Sequence, residues 1–227
     1  MLLKGEVLIR LKVCGTTNIF DARKTAKFGV DYLGIVVDVP FSERSVSVSK
    51  AREIAESVNS SIDVVVLFFN QTTDWIKEAV AIIKPFAVQL LGNEPASVVR
   101  ELKNSISCQV WKSVFLPPKD QTTSLSQIKA EIESYIDAGV DAILLDTADI
   151  SEGRFGGTGK ISNWSIARDI VDAYDIPIFL AGGINPQNVT EAIKAVNPYG
   201  IDLCSGVEKY KGKRDFRKLK QLMNSLG

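Results

Sequence analysis

Eight short runs rich in β-branched residues alternate with eight amphipathic segments along 227 residues, and the last two run-to-segment turns are made of small residues, Gly182-Gly183 and Ser205-Gly206. Strands alternating with helices indicate a parallel sheet covered by helices, and eight such units in this length predict a single (β/α)8 (TIM) barrel over residues 1–227. A doubly wound open sheet is the alternative, because alternation alone does not decide whether the sheet closes.

The strand expectations are Leu8–Cys14, Tyr32–Val37, Val64–Phe69, Ala87–Leu91, Gln109–Phe115, Ala142–Asp146, Ile178–Ala181 and Ile201–Cys204. Each is a short apolar run that ends in Gly, Asn, Asp or Ser. Helices are expected over Ile19–Phe28, Ser49–Val58, Asp74–Ile83, Ala96–Leu102, Ser124–Ala138, Ser165–Ala173, Pro186–Val196 and Asp215–Met223. Ile128, Ile132, Tyr135 and Ile136 show the one-sided spacing that assigns the fifth. For the seventh, Asn185 is the expected N-cap and Pro186 the first helical residue.

Composition narrows the function. The 45% apolar content supports a sizeable core, and the formal net charge of zero, without a basic run, argues against nucleic-acid or anionic-lipid partners. No stretch is apolar enough for a membrane span, so the expected location is the cytoplasm. Cys14, Cys108 and Cys204 have no metal-ligand spacing and form no even disulfide set; Cys108 and Cys204 read as packing residues. The chain has no histidine, which removes the commonest general base and many metal sites. Outer helical faces of a barrel pack equally well against a second copy, so a homo-oligomer stays among the expectations.

In a barrel, chemistry belongs at the C-terminal ends of the strands. There the sequence places two proton-transfer candidates, Cys14 and Asp146, together with Asn70, Gln89 and the two small-residue turns. Bare backbone N–H groups at Gly182, Gly183, Ser205 and Gly206 would suit a phosphate. Arg44 could hold an anion near the first two strands, and the glycine-rich turn after strand six, with Gly157 and Gly159, is long enough to fold over a ligand. Taken singly, each feature has a plainer role in packing, capping or turn geometry; their joint order along eight units favours a site.

The motifs KVCGTT (12–17), DYLGIVV (31–37), SERSVS (42–47), VQLLG (88–92), LLDT (144–147), GGTGK (156–160), LAGGINPQNV (180–189) and GIDLCSGVE (200–208) together resemble the phosphoribosylanthranilate isomerase family of tryptophan biosynthesis. The resemblance implies a (β/α)8 barrel and a phosphoribosyl substrate. It implies an Amadori rearrangement of N-(5-phosphoribosyl)anthranilate to 1-(2-carboxyphenylamino)-1-deoxyribulose 5-phosphate, without metal or redox cofactor. By motif position it makes Cys14 the general base, Asp146 the general acid and Arg44 the receiver of the anthranilate carboxylate. Gly182-Gly183 and Ser205-Gly206 fall on its phosphate cradle, and Gln89, Gly157 and Gly159 become candidate substrate contacts. Two positions depart from the family pattern: Ser162-Asn163-Trp164 replaces Phe-Asp-Trp, and Leu91 stands where a histidine is usual. The other readings weighed are a related sugar-phosphate isomerase of histidine biosynthesis and a catalytically silent phosphate-binding barrel.

Strand parity adds one expectation independent of the resemblance. Lys12 must face the same side as Cys14, into the barrel, while Ile201 and Leu203 facing the helices turn Asp202 and Cys204 inward. Neighbouring first and last strands would then pair Lys12 with Asp202, since either charge alone inside is costly.

Overall fold

A computed structural model describes residues 9–58, 61–117, 124–149, 154–155 and 163–226. Eight parallel strands form the barrel: β1 (Arg10–Val13), β2 (Tyr32–Val37), β3 (Asp63–Phe68), β4 (Ala87–Leu90), β5 (Gln109–Leu116), β6 (Ala142–Asp149), β7 (Ile178–Leu180) and β8 (Gly200–Leu203). Each pairs with its sequence neighbours, and β1 pairs with both β2 and β8. The pairing of Arg10 to Val13 with Gly200 to Leu203 closes the sheet, which rules out the open alternative. Among the described residues eight α-helices cover it: α1 (Ile19–Ala26), α2 (Val48–Val58), α3 (Thr73–Ile83), α4 (Ala96–Ser105), α5 (Leu125–Asp137), α6 (Trp164–Val171), α7 (Val189–Val196) and α8 (Phe216–Leu226). No helix among the described residues is long and apolar enough to cross a membrane.

The strands are apolar on both faces because both faces are buried; all six residues of β2 are. Leu33, Ile35 and Val37 pack outward in the main core with helix residues such as Ile54 and Ile76. The inward residues form layers. Tyr32, Trp111 and Phe179 plug the bottom, with the Trp111 and Phe179 rings stacked at 5.0 Å and Tyr32 edge-on to Trp111 at 5.1 Å. Offset and edge-to-face pairs of this kind fill volume with favourable ring electrostatics. Above the aromatic plug lies a polar layer, and above that the mouth of the barrel.

Most expected boundaries lie within one to three residues of those observed. The seventh helix is a correction: its regular part begins at Val189, not Pro186. Asn185 and Asn188 hold the intervening turn, with Asn185 Oδ1 accepting from the Gln187 N–H (2.9 Å) and Asn188 Oδ1 from the Asn185 N–H (2.8 Å). Asparagine side chains thus satisfy N–H groups that a helix starting at Pro186 would leave without an intrahelical partner. Strand β6 runs on to Asp149 and pairs with Arg154–Phe155 in a short antiparallel hairpin, so the turn after it starts as structured chain. Leu8 of the first expected strand lies outside the described residues.

One glycine makes the mouth possible. A Cβ on Gly34 in β2 would lie 2.7 Å from Cys14 Sγ and 2.9 Å from Cys14 Cα. Gly34→Ala should therefore displace Cys14, lowering stability by about 1–3 kcal/mol and reducing turnover, as overpacked sites do. Denaturant midpoints and steady-state kinetics on the same preparation check this; an alanine variant with native midpoint and rate would contradict the close approach.

Candidate active site

The strand ends surround a cavity of about 370 Å³. Cys14, immediately after β1, and Asp146, within β6, both line it. So do Gln89 from β4, Arg44 from the loop after β2, Gly182 and Gly183 after β7, and Ser205 after β8, with Gly206 next in the chain. Most sequence candidates are thus gathered into one site; Gly206 is not itself on the lining, and Gly157 and Gly159 lie outside the described residues. Asn70 stands apart as a loop brace: its Oδ1 accepts from the Asn93 N–H at 2.8 Å.

The polar layer beneath the cavity is built on the expected ion pair. Lys12 Nζ is fully buried and lies 2.8 Å from Asp202 Oδ2. Burial disfavours the Lys12 charge, but the negative charges of Asp202 and Cys14 outweigh it and raise its pKa. Burial likewise raises Asp202, against the pull of Lys12, and Asp202 Oδ1 has no hydrogen-bond partner among the described residues. Gln89 is buried beside this layer, its Nε2 donating to Ser113 Oγ at 2.9 Å.

Asp146 is pushed up to about 6, chiefly by burial, with Asp202 adding to the rise. Its Oδ1 accepts the Thr147 N–H at 2.7 Å, which fixes the carboxyl and works against that rise. Cys14 moves the other way. Its strongest perturbation is a hydrogen bond with Cys204, aided by the Lys12 and Arg44 charges, and together these overcome burial and lower its pKa. Cys204, expected to be a packing residue, instead lines the cavity next to Cys14, and its own pKa is raised well above the usual thiol value.

Arg44 is held by Glu208 through a two-pronged ion pair, Nε to Oε1 at 3.0 Å and Nη2 to Oε2 at 2.7 Å. Burial opposes the guanidinium charge and the Glu208 bond more than restores it, so its pKa rises. Glu208 begins a hairpin, Glu208–Tyr210 against Lys213–Arg214, that crosses the end of β1. Arg214 donates from Nη2 to the Cys14 carbonyl at 2.7 Å, and Thr17 Oγ1 donates to Gly212 O at 2.8 Å. Sequence reasoning missed this strap, because its segments are two to three residues long and have no apolar periodicity to reveal them.

The two glycines after β7 both adopt positive φ, 83° at Gly182 and 67° at Gly183. A side chain at Gly182 would also occupy the space of the Thr147 hydroxyl. Their backbone N–H groups donate to no described residue, while Gly183 O accepts from the side chains of Asn185 (3.2 Å) and Asn188 (3.0 Å). Unpaired N–H groups on a bare glycine turn are donors that an anion can use. Of the two departures from the family pattern, Asn163 N-caps α6, accepting from the Ser165 and Ile166 N–H groups. Leu91 packs beside Cys14, Val36 and Leu67 on the cavity wall. Among the described residues there is no cluster of three or more His, Cys, Asp or Glu able to hold a metal ion.

The family model described as N-(5'phosphoribosyl)anthranilate (PRA) isomerase matches residues 11–225. The N-(5'-phosphoribosyl)anthranilate isomerase of Methanocella arvoryzae is 34% identical over 220 residues, covering 96% of this chain and 98% of that one. The crystal structure of phosphoribosyl anthranilate isomerase from Thermotoga maritima superposes with a TM-score of 0.81 at 30% identity, covering 96% and 98% of the two chains. A phosphoribosyl anthranilate isomerase in complex with reduced 1-(o-carboxyphenylamino)-1-deoxyribulose 5-phosphate superposes at 0.77 and 29% identity, over the same shares.

The raised Asp146 pKa has a sign that stability can read. A carboxyl at about 6 when folded and about 3.9 when unfolded contributes its full stability below pH 4 or so, and loses it as pH rises through about 6. Asp146→Asn, which keeps the acceptor for Thr147, should melt at a higher temperature than the parent near neutral pH and converge with it near pH 4. Thermal unfolding across that range checks this; a constant difference, or one of opposite sign, would remove the buried carboxyl as its cause.

Proposed function

The chain belongs to the N-(5'-phosphoribosyl)anthranilate isomerase family, and from that premise we propose that it rearranges N-(5-phosphoribosyl)anthranilate to 1-(2-carboxyphenylamino)-1-deoxyribulose 5-phosphate. The observation that supports this most directly is that Cys14 and Asp146 line one cavity, with the Gly182-Gly183 and Ser205 turns on the short arc between them. Phosphate held on that arc puts a ribose between a candidate base and a candidate acid of opposed proton affinity. The anthranilate ring then extends towards the loop after β2, where Arg44 Nη1 has no partner among the described residues and can meet a carboxylate.

The proposed chemistry needs proton transfers alone, with no metal or redox cofactor. Asp146 in its acid form delivers a proton to the furanose oxygen as the C1–O bond breaks, and the nitrogen lone pair forms the iminium. An ordinary aspartate would be acid in only about one molecule in a thousand at neutral pH, whereas a pKa near 6 keeps about one in ten ready. The iminium acidifies the C2 proton, which the Cys14 thiolate removes to give an enolamine; reprotonation at C1 and loss of the hydroxyl proton give the ketone. Lys12 and Arg44 favour the thiolate before substrate binds, and the iminium favours it afterwards. Positioned groups of matched pKa at each step contribute roughly 10²–10⁴ in rate. We place this work in the cytoplasm, where three free thiols stay reduced.

The test is loss of phosphoribosylanthranilate fluorescence with purified protein. Cys14→Ala and Asp146→Asn should each lower kcat by at least about 10² with smaller changes in KM. Near-native turnover in either variant removes that residue from its role, and no turnover by the parent chain would leave a ligand-binding barrel.

A further inference from the structure

The reading above leaves Cys204 without a part. Strands β1 and β8 pair in register with Val13 opposite Leu203, and the Cys14 N–H donates to Leu203 O at 2.8 Å. The next residues along, Cys14 and Cys204, therefore stand side by side facing inward, and both line the cavity. A Cβ on Gly15 would come within 3.1 Å of Cys204 Sγ, which places that sulfur over the Cys14–Gly15 backbone. Cys204 also packs against the small cluster that contains Cys14, so the two side chains are neighbours. Resting on the assignment of Cys14 as the base, we propose that Cys204 is a positioning residue for proton abstraction: its S–H donates to the Cys14 sulfur and holds that sulfur as a thiolate facing the substrate.

Two neighbouring thiols in hydrogen-bond reach would share their first ionisation and resist the second. Removing one proton leaves a charge-assisted S–H···S⁻ bond, stronger than the weak bond between neutral thiols. Removing the other would place two negative charges in contact. The surroundings decide which sulfur takes the charge. Lys12, one layer beneath, favours it on Cys14, although Asp202 beside that lysine offsets part of the effect. Glu208, from the strap, disfavours it on Cys204. Arg44 lies near both sulfurs, as does Arg214, and Asp146 faces the pair across the cavity. The charge therefore settles on Cys14 and the shared proton on Cys204, which is also the arrangement that leaves the base unprotonated towards the ribose. The cost is some intrinsic basicity of the thiolate, which the iminium intermediate tolerates because its C2 proton is already acidified.

The experiment measures the thiol separately from the reaction. Rates of Cys14 alkylation by iodoacetamide, located by peptide mass spectrometry under a phosphine reductant, give the Cys14 titration in the parent, Cys204→Ala and Cys204→Ser; kcat and KM are measured alongside. Cys204→Ala should move the Cys14 titration upward by about one pH unit, a tenfold loss of thiolate below it. It should cut kcat about tenfold at neutral pH with KM within about twofold. Cys204→Ser, whose hydroxyl still donates, should recover most of both. Cys204→Val, of similar volume without a donor, replaces the alanine variant if that one does not fold. An unchanged Cys14 titration without the donor, or a serine variant no better than alanine, overturns the proposal. Full turnover by Cys14→Ala would instead sink the assignment of the base while leaving the thiol coupling intact, so the two failures are distinguishable.

Discussion

The ion pair between Lys12 and Asp202 is the constraint around which the interior is arranged. A lysine with no exposure, on the first strand of a closed barrel, is tolerable only opposite a charge of the other sign, and the last strand supplies it at 2.8 Å. Breaking such a pair strands a buried charge, at about 3–5 kcal/mol. The pair therefore reports, and enforces, the register in which β8 meets β1. It also divides the interior: below it the Tyr32, Trp111 and Phe179 rings exclude water, and above it the mouth is polar enough for chemistry. The cation has a second effect, because its field reaches the thiol one layer up.

From that layer upward the site is assembled by elements distant in sequence. Asp146 comes from β6, Cys14 from the end of β1, Cys204 from the end of β8, and Arg44 from the loop after β2. The strap at 208–214 joins two of these, with Glu208 gripping Arg44 and Arg214 bonded to the Cys14 carbonyl. Lys211 adds an ion pair to Glu43 on the loop after β2. An arginine whose orientation is set before ligand arrives loses less side-chain freedom on binding. The same buried, low-dielectric setting separates the two proton affinities, raising that of Asp146 through burial and lowering that of Cys14 through a donor and nearby cations.

Where expectation and structure part, the reason is local. The seventh helix starts at Val189 because Asn185 and Asn188 make a turn of their own, and proline at 186 reads equally well as turn or first helical residue. Cys204 shows the limit of treating residues singly. Parity turned it inward, but a small sulfur side chain at a strand end is indistinguishable from packing until the partner beside it is known. Arg44 was expected near the first two strands and is there; its grip on Glu208 depends on a contact across 164 residues of chain.

The sequence by itself determined the eight-unit alternation, the inward face of the first and last strands, and hence the Lys12–Asp202 pair and the inward set of Cys14, Asp202 and Cys204. These follow from periods of two and of about 3.6, which are local properties of the backbone. The small-residue turns are legible for the same reason, since bare backbone is a property of the residues themselves. Only the tertiary structure decided that the sheet closes, that Gly34 makes room for Cys14, that the strap clamps Arg44, and that Cys204 stands beside Cys14. Those features depend on distances between strands one, two and eight and the loops beyond them, and such distances exist only once the barrel has brought its first and last strands together.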